Sequence, residues 1–116
     1  MERDAVIVAG FGFSTRATVE SLKGALAATG HRPDAVATLA DKAPLLSALG
    51  LPVIAVSGPL PLTLTQSPAS LAARGTGSVA EACALDAAGP GAYLLTMRRV
   101  SPDGLATCAI AKGTGA

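Results

Sequence analysis

The sequence predicts an α/β fold of three layers, in which a mixed, mostly parallel sheet of about five strands lies between helices. In the first half of the chain, short apolar runs alternate with segments of helical periodicity, as in parallel sheets that helices cover. Near the end, two apolar runs flank SPDG, a turn sequence that joins antiparallel strands. We therefore expect a single domain over residues 1–116, with parallel strands first and a C-terminal hairpin last.

The first strand is predicted over residues 6–9, where four apolar residues precede Gly10. The glycines of the following GFGFST predict a turn that begins at Gly10 and includes Gly12. A turn of this kind can present backbone N–H groups at the N-terminus of the next helix, where anions bind. Gly10 and Gly12 are therefore candidate ligand-binding residues, although such glycines can also serve only to form a tight turn.

The next helix is predicted from Arg16, with Ser14 or Thr15 as its N-cap and Gly30 at its end. Apolar residues at helical spacing support it. Ser14, Thr15 and Arg16 join the candidate anion site. The stretch is not a complete dinucleotide fingerprint, because Thr15 occupies the third glycine position, and no Gly-Lys-Ser/Thr run completes a phosphate loop.

The remaining elements are predicted from the same signals. Strands are expected over residues 35–39, 51–57, 92–100 and 105–113, and a short helix over 43–50 with Pro44 in its first turn. Residues 58–68 contain three prolines and predict a surface loop, after which a short helix ends at Gly75.

The stretch RGTGSVAEACAL predicts a further helix, whose N-terminus is the second one lined by glycines. Gly75, Thr76, Gly77 and Ser78 are candidate ligand-binding residues for that reason. Ser78 and Glu81 are spaced as a capping box, in which the serine hydroxyl and the glutamate carboxylate bind backbone N–H groups of the first turn. Glu81 is also the one candidate for catalysis, as a general base, although capping alone can account for it.

Lys42 follows the second strand and is the last candidate ligand-binding residue. Ligands of open parallel sheets bind beyond the carboxyl ends of the strands, so Lys42 and Arg16 are expected at one edge. His31 follows the first helix and is expected at the opposite edge, which argues against a serine-histidine-acid triad.

Composition excludes several classes of function. A net charge of +1 and three aromatic residues argue against a nucleic-acid partner. No apolar run reaches the roughly 20 residues of a membrane span, and the start lacks the pattern of a signal peptide, so we expect a cytoplasmic protein. Cys83 and Cys108 are expected to be reduced core thiols, and neither a metal site nor a cofactor is expected.

Four stretches taken together resemble the family of the cobalamin-biosynthesis protein CobE and the C-terminal domain of CbiG. They are GFGFSTRA, the lysine after the second strand, GTGSVAEACAL and RRVSPDGLATCAIA, and they cover nearly the whole chain. The resemblance implies a corrin-ring intermediate as ligand, with other cobalamin-pathway enzymes as possible partners. Corrin precursors are apolar macrocycles with acetate and propionate carboxylates, which two helix N-termini, Arg16 and Lys42 suit.

Three functions are compatible with these features. The first is an auxiliary protein that binds a corrin intermediate without converting it. The second, implied by the likeness to CbiG, is a hydrolase that opens a precorrin or cobalt-precorrin lactone with release of acetaldehyde, with Glu81 as its base. The third is an unrelated regulatory domain that binds phosphate or a nucleotide.

Overall fold

The structure, a computed structural model, describes residues 6–57 and 78–113. The strands are β1 (Val6–Phe13), β2 (Ala35–Leu39), β3 (Val53–Val56), β4 (Tyr93–Val100) and β5 (Ala106–Gly113). The helices are α1 (Val19–Thr29), α2 (Ala43–Leu46) and α3 (Val79–Ala88). Short 3₁₀ turns, Ala40–Lys42 and Ser47–Leu49, flank α2.

The five strands form one mixed sheet in the order β3-β2-β1-β5-β4. β1, β2 and β3 are parallel, whereas β5 is antiparallel to both β1 and β4. β1 is the central strand and pairs with β5 along its whole length, from Val6↔Gly113 to Phe13↔Ala106. The predicted fold class is thus confirmed, including the antiparallel C-terminal hairpin.

Helices cover both faces of the sheet, and β1 contributes side chains to both, because successive side chains of a strand point to opposite faces. Ala9 and Phe11 pack with α1 and α2 in one buried cluster, whereas Val8 packs with α3 in the other. Burial of this apolar surface on both sides is the main stabilising contribution to the fold. The three predicted layers are therefore present.

Gly10 and Gly12 are part of β1, so the prediction that the first strand ends at Gly10 is wrong. The strand continues to Phe13, which pairs with Ala106 of β5, and α3 lies directly against the two glycines. A Cβ on Gly10 would lie 2.1 Å from the carbonyl oxygen of Ala80, and one on Gly12 would lie 3.3 Å from the Cβ of Val79. A strand glycine often marks such a close approach of another backbone. The two glycines do not form the predicted turn at the start of α1.

The N-terminus of α1 also differs from the prediction. Its N-cap is Thr18, and neither Ser14 nor Thr15 takes that role. The Thr18 side chain accepts a hydrogen bond from the Ser21 N–H, and the Ser21 hydroxyl accepts one from the Thr18 N–H. This reciprocal pair places the first helical residue at Val19, three residues after the predicted start. The predicted end at Gly30 is confirmed, with a left-handed φ of 73°.

The hairpin turn packs against α1 through a carboxylate. Asp103 accepts hydrogen bonds from the hydroxyls of Ser21, at 2.6 Å, and Ser101, at 2.5 Å. The backbone N–H of Leu105 donates a third, at 2.9 Å. These donors stabilise the charged carboxylate and lower the pKa of Asp103, with the Ser101 hydroxyl making the largest contribution and Ser21 the next.

Cys83 and Cys108 are both buried and lie on opposite faces of the sheet, where no disulfide joins them. Burial raises the pKa of the Cys108 thiol, which keeps it protonated. No helix in the described part of the chain has the length and hydropathy needed to cross a membrane. The predicted loop over 58–68 and the helix ending at Gly75 lie outside the described residues.

Candidate functional site

Three parallel strands end at the same edge of the sheet, which we call the carboxyl edge. β1 ends there at Phe13, β2 at Leu39 and β3 at Val56. α3 also begins at this edge, since its Val79 lies beside Gly12 near the end of β1. It lies on the face of the sheet opposite α1 and α2. The carboxyl edge is therefore the place where ligands bind in open parallel sheets.

The segment that follows β1 at this edge is an exposed turn. Ser14, Thr15 and Arg16 are all exposed to solvent. The Ser14 N–H donates to the carbonyl of Leu105, at 3.1 Å, and the Ser14 hydroxyl accepts from the Arg16 N–H, at 3.2 Å. These bonds fix the backbone of the turn to the hairpin while the Arg16 side chain stays at the surface. An exposed guanidinium on a fixed turn suits a carboxylate ligand.

Lys42 lies at the tip of β1, as the prediction of a shared edge requires. Its Nζ donates a hydrogen bond to the carbonyl oxygen of Phe13. The same Nζ lies 5.1 Å from the centroid of the Phe13 ring, within the range of a cation–π contact. Ser14 follows Phe13 directly, so the structure brings Lys42 to the beginning of the turn that carries Arg16.

Side chains from three neighbouring segments satisfy the last carbonyls of β1. The register between β1 and β2 runs only from Val8↔Ala35 to Gly10↔Ala37. Beyond it, the Thr38 hydroxyl donates to Phe11 at 2.8 Å, and the Thr107 hydroxyl donates to Gly12 at 3.1 Å. Lys42 donates to the third carbonyl, that of Phe13. These bonds hold the tip of β1 in place where backbone pairing to β2 has ended.

The N-terminus of α3 contains the two residues that were predicted to form a capping box. Ser78 is the N-cap, and its hydroxyl accepts from the Glu81 N–H at 3.2 Å, which confirms that half of the motif. The Glu81 carboxylate is completely buried and accepts from the backbone N–H of Arg98 in β4, at 2.9 Å. Glu81 therefore links the first turn of α3 to β4, the outermost strand on that side of the sheet.

The other predicted positions divide into two groups. Gly75, Thr76 and Gly77 lie outside the described residues. His31 follows α1 at the edge opposite Lys42, near the point where the Asp34 carboxylate accepts from the N–H of Ile7 at the start of β1. Its expected position away from the candidate site is confirmed.

Within residues 6–57 and 78–113, no cluster of three His, Cys, Asp or Glu side chains could hold a metal ion.

The candidate residues predicted from the sequence did not include Phe13, which the structure places against Lys42. Its ring and its carbonyl both contact Lys42. The sequence signal was the GFGF repeat, in which the glycines alternate with aromatic residues. Period-two alternation of this kind is typical of a strand whose two faces meet different neighbours. It indicates that β1 extends to Phe13 and not that it stops at Gly10.

Comparison with known proteins gives the family. The model of the family described as "Cobalamin synthesis G C-terminus" matches residues 7–111 of the chain. The chain belongs to this family. Solved structures that are similar to it include two cobalamin-biosynthesis proteins, whereas no curated protein sequence matches. The chain is thus a cobalamin-biosynthesis protein by family and by fold.

The first similar structure is CobE, a protein from the cobalamin (vitamin B12) biosynthetic pathway. It shares 26% identity, with a TM-score of 0.74 over 97% of this chain and 93% of that one. The second is the cobalamin biosynthesis protein chiG from Agrobacterium tumefaciens. It shares 31% identity, with a TM-score of 0.61 over 91% of this chain and 97% of that one.

Proposed function

We propose that this protein binds a corrin-ring intermediate of cobalamin biosynthesis at the carboxyl edge and acts as an auxiliary to the enzymes that modify the ring. The observation that carries the proposal is the position of Lys42. Its ammonium is held on Phe13, directly before the exposed turn of Arg16. Two cations at one edge suit a ligand with several carboxylates, and corrin precursors carry acetate and propionate groups around an apolar ring.

Within this proposal, the candidate ligand-binding residues fall into three groups. Arg16 and Lys42 would bind peripheral carboxylates directly. The hydroxyls of Ser14 and Thr15, on the same exposed turn, would add hydrogen bonds. Gly75, Thr76, Gly77 and Ser78 precede or cap α3, whose N-terminus adds a favourable dipole for a negative group. Gly10 and Gly12 are left out, because they face α3 inside the sheet.

A non-catalytic role is favoured by the surroundings of Glu81. A general base must reach the water or substrate from which it takes a proton. The Glu81 carboxylate is completely buried and already accepts a hydrogen bond from the Arg98 N–H. The alternative of a lactone hydrolase with Glu81 as its base therefore has less support than the binding function. Membership of a cobalamin-synthesis family likewise argues against an unrelated phosphate- or nucleotide-binding domain.

The expected partners and location follow from the same proposal. The ligand is a small molecule, and other cobalamin-pathway enzymes would deliver it or take it up. We expect this to take place in the cytoplasm, where buried thiols such as Cys108 stay reduced. Nucleic acid is not expected as a partner, since the net charge is only +1 and the few aromatic residues offer no stacking surface. A membrane is not expected as a partner either.

An absorbance titration tests the proposed function. Hydrogenobyrinic acid, which carries free carboxylates, should bind more tightly than its fully amidated counterpart. Its affinity should fall as salt rises, because the attraction between exposed charges is screened. Equal affinity for the acid and amide forms, or affinity for the acid that does not depend on salt, would contradict the proposal. Release of acetaldehyde from a lactone precursor would instead support the hydrolase.

A further inference from the structure

Phe13 occupies a special place at the carboxyl edge. It is the last residue of β1 and pairs with Ala106 of β5, so its backbone is fixed by the sheet. Its half-buried ring packs against the buried cluster on the α1 face of the sheet. An aromatic ring held from one side in this way presents a rigid surface on the other.

Two groups of Phe13 hold the Lys42 ammonium. The carbonyl oxygen accepts a hydrogen bond from Nζ, and the ring centroid lies 5.1 Å from the same atom. Lysine side chains are flexible and lose much rotamer freedom when they bind a ligand. Two contacts to one fixed residue restrict that freedom before any ligand arrives, which lowers the entropic cost of binding.

The nature of these contacts matters as much as their number. A carboxylate partner would neutralise the ammonium, whereas a ring and a carbonyl are uncharged and leave its positive charge intact. An ammonium has three N–H donors, and the Phe13 carbonyl uses one of them. Among the described contacts of Lys42, no other group accepts from Nζ, so two donors remain for oxygen atoms of a ligand.

We propose that Phe13 is a positioning residue, which holds Lys42 as a fixed cation and thereby sets the preference of this edge for a carboxylate over an amide. The inference rests on the proposed function, since the carboxylate belongs to the corrin ligand. It assigns to Phe13 a role in selectivity, in addition to its packing against the core. A ligand group with a full negative charge gains from the retained charge of Lys42, whereas a neutral amide gains much less.

The test compares affinities for hydrogenobyrinic acid and its fully amidated counterpart in a set of variants. Phe13→Leu and Phe13→Met remove the ring but keep an apolar side chain, and Phe13→Tyr keeps the ring. Without the ring, the preference for acid over amide should fall about two- to fivefold, as loss of a cation–π contact implies. Phe13→Tyr should retain the preference. A purely structural role would weaken both ligands equally and leave their ratio unchanged.

Lys42→Ala separates this inference from the proposed function. It should reduce the preference for the acid by at least fivefold, while Lys112→Ala, at the other end of the sheet, should not change it. If Lys42→Ala reduces the preference but both variants without the ring keep it, Phe13 does not position Lys42 and the proposed function stands. If the unaltered protein shows no preference, or if Lys42→Ala has no effect, the proposed site itself is wrong.

A measurement on the unaltered protein does not depend on how the variants fold. An aromatic ring shifts the NMR signals of protons above its face upfield. The ε-methylene protons of Lys42 should therefore resonate upfield of those of Lys23, an exposed lysine of α1. They should stay upfield when hydrogenobyrinic acid binds. Signals at ordinary lysine positions in the bound state would show that the ammonium leaves Phe13, and would overturn the inference.

Discussion

Gly10 of β1 and Ala80 of α3 lie so close that a Cβ on the glycine would stand 2.1 Å from the carbonyl oxygen of the alanine. The same built Cβ would lie 2.5 Å from the backbone nitrogen of Ala84, one helical turn further on. Helix and strand therefore meet backbone to backbone. This contact is possible because the facing residues of α3 are alanines and the strand residue is a glycine.

Gly10→Ala should accordingly destabilise the protein by about 3 kcal/mol, since α3 must move away from the sheet to admit one methyl group. The free energy of unfolding, measured by urea denaturation, checks this value. Gly12→Ala should cost less, because the nearest atom would be the Thr107 hydroxyl at 3.0 Å.

Gly50→Ala provides a control for this prediction. Gly50 has a φ of 75° and nothing within 4 Å of a built Cβ. Its substitution should cost only the roughly 1 kcal/mol of a left-handed alanine. A Gly10→Ala protein as stable as the Gly50→Ala protein would show that the backbone of α3 does not pack directly against Gly10.

The contact between Ser21 and Asp103 predicts a dependence of stability on pH. Hydrogen bonds from Ser101 and Ser21 lower the pKa of Asp103 in the folded state, so its carboxylate contributes stability at neutral pH. That contribution is present above the ordinary aspartate pKa of about 4 and is lost as pH falls through the lower folded value. Asp103→Asn should therefore lower the melting temperature at pH 6 to 7 and make little difference near pH 2.

Ser21→Ala should reproduce part of this effect, because it removes one of the three hydrogen bonds to the carboxylate. Glu20→Gln is a suitable control, since Glu20 is exposed and forms a surface ion pair with Lys23, at 4.0 Å. A melting-temperature difference between the Asp103→Asn protein and the unaltered protein that stays constant from pH 7 to pH 2 would contradict the assigned cause.

Local patterns in the sequence were sufficient to predict the strands away from the site. The segment 35–39 is AVATL, a β-branched run bounded by turn signals, and β2 spans Ala35–Leu39. The SPDG turn likewise predicted the β4–β5 hairpin, with Gly104 in the left-handed region at φ 76°. In both places the chemistry of neighbouring residues determines the backbone, so tertiary contacts do not need to be known.

The candidate site was harder to predict, because it depends on contacts between distant segments. Gly10 resembles a turn glycine until the approach of Ala80 is known, and that approach joins residues 70 positions apart. Ser14 and Thr15 were the predicted N-caps of α1, whereas Thr18 takes that role through its reciprocal hydrogen bonds with Ser21. The place of Lys42 at the carboxyl edge followed from strand order alone, whereas its contact with Phe13 did not.

Replacement of the two cations should affect ligand binding more than folding. Arg16→Ala removes an exposed side chain and should change the free energy of unfolding by less than about 0.5 kcal/mol. Lys42→Ala should cost about 1 kcal/mol, because the Phe13 carbonyl loses its donor. Each should weaken binding of hydrogenobyrinic acid by about 1 to 3 kcal/mol in calorimetric titrations.

His31→Ala and Lys112→Ala are the matched controls for the two cations, because both residues lie toward the opposite edge of the sheet. Neither substitution should change the affinity. Loss of binding in His31→Ala with normal binding in Lys42→Ala would place the ligand at the wrong edge for the proposed function.

Glu81 decides between a binding protein and an enzyme. If its role is to join α3 to β4, Glu81→Gln should change stability and ligand affinity by less than about 1 kcal/mol, since the amide oxygen can still accept from the Arg98 N–H. Glu81→Ala should lower the free energy of unfolding by roughly 1 to 3 kcal/mol, because it leaves that N–H without this acceptor.

A general base at Glu81 would respond differently. Glu81→Gln would then keep the fold and the affinity yet slow acetaldehyde release from a lactone precursor by about a hundredfold or more. We expect the first pattern, because the Glu81 carboxylate is completely buried and accepts a hydrogen bond from a backbone N–H. Measured lactone hydrolysis that collapses in Glu81→Gln at unchanged affinity would establish the enzyme instead.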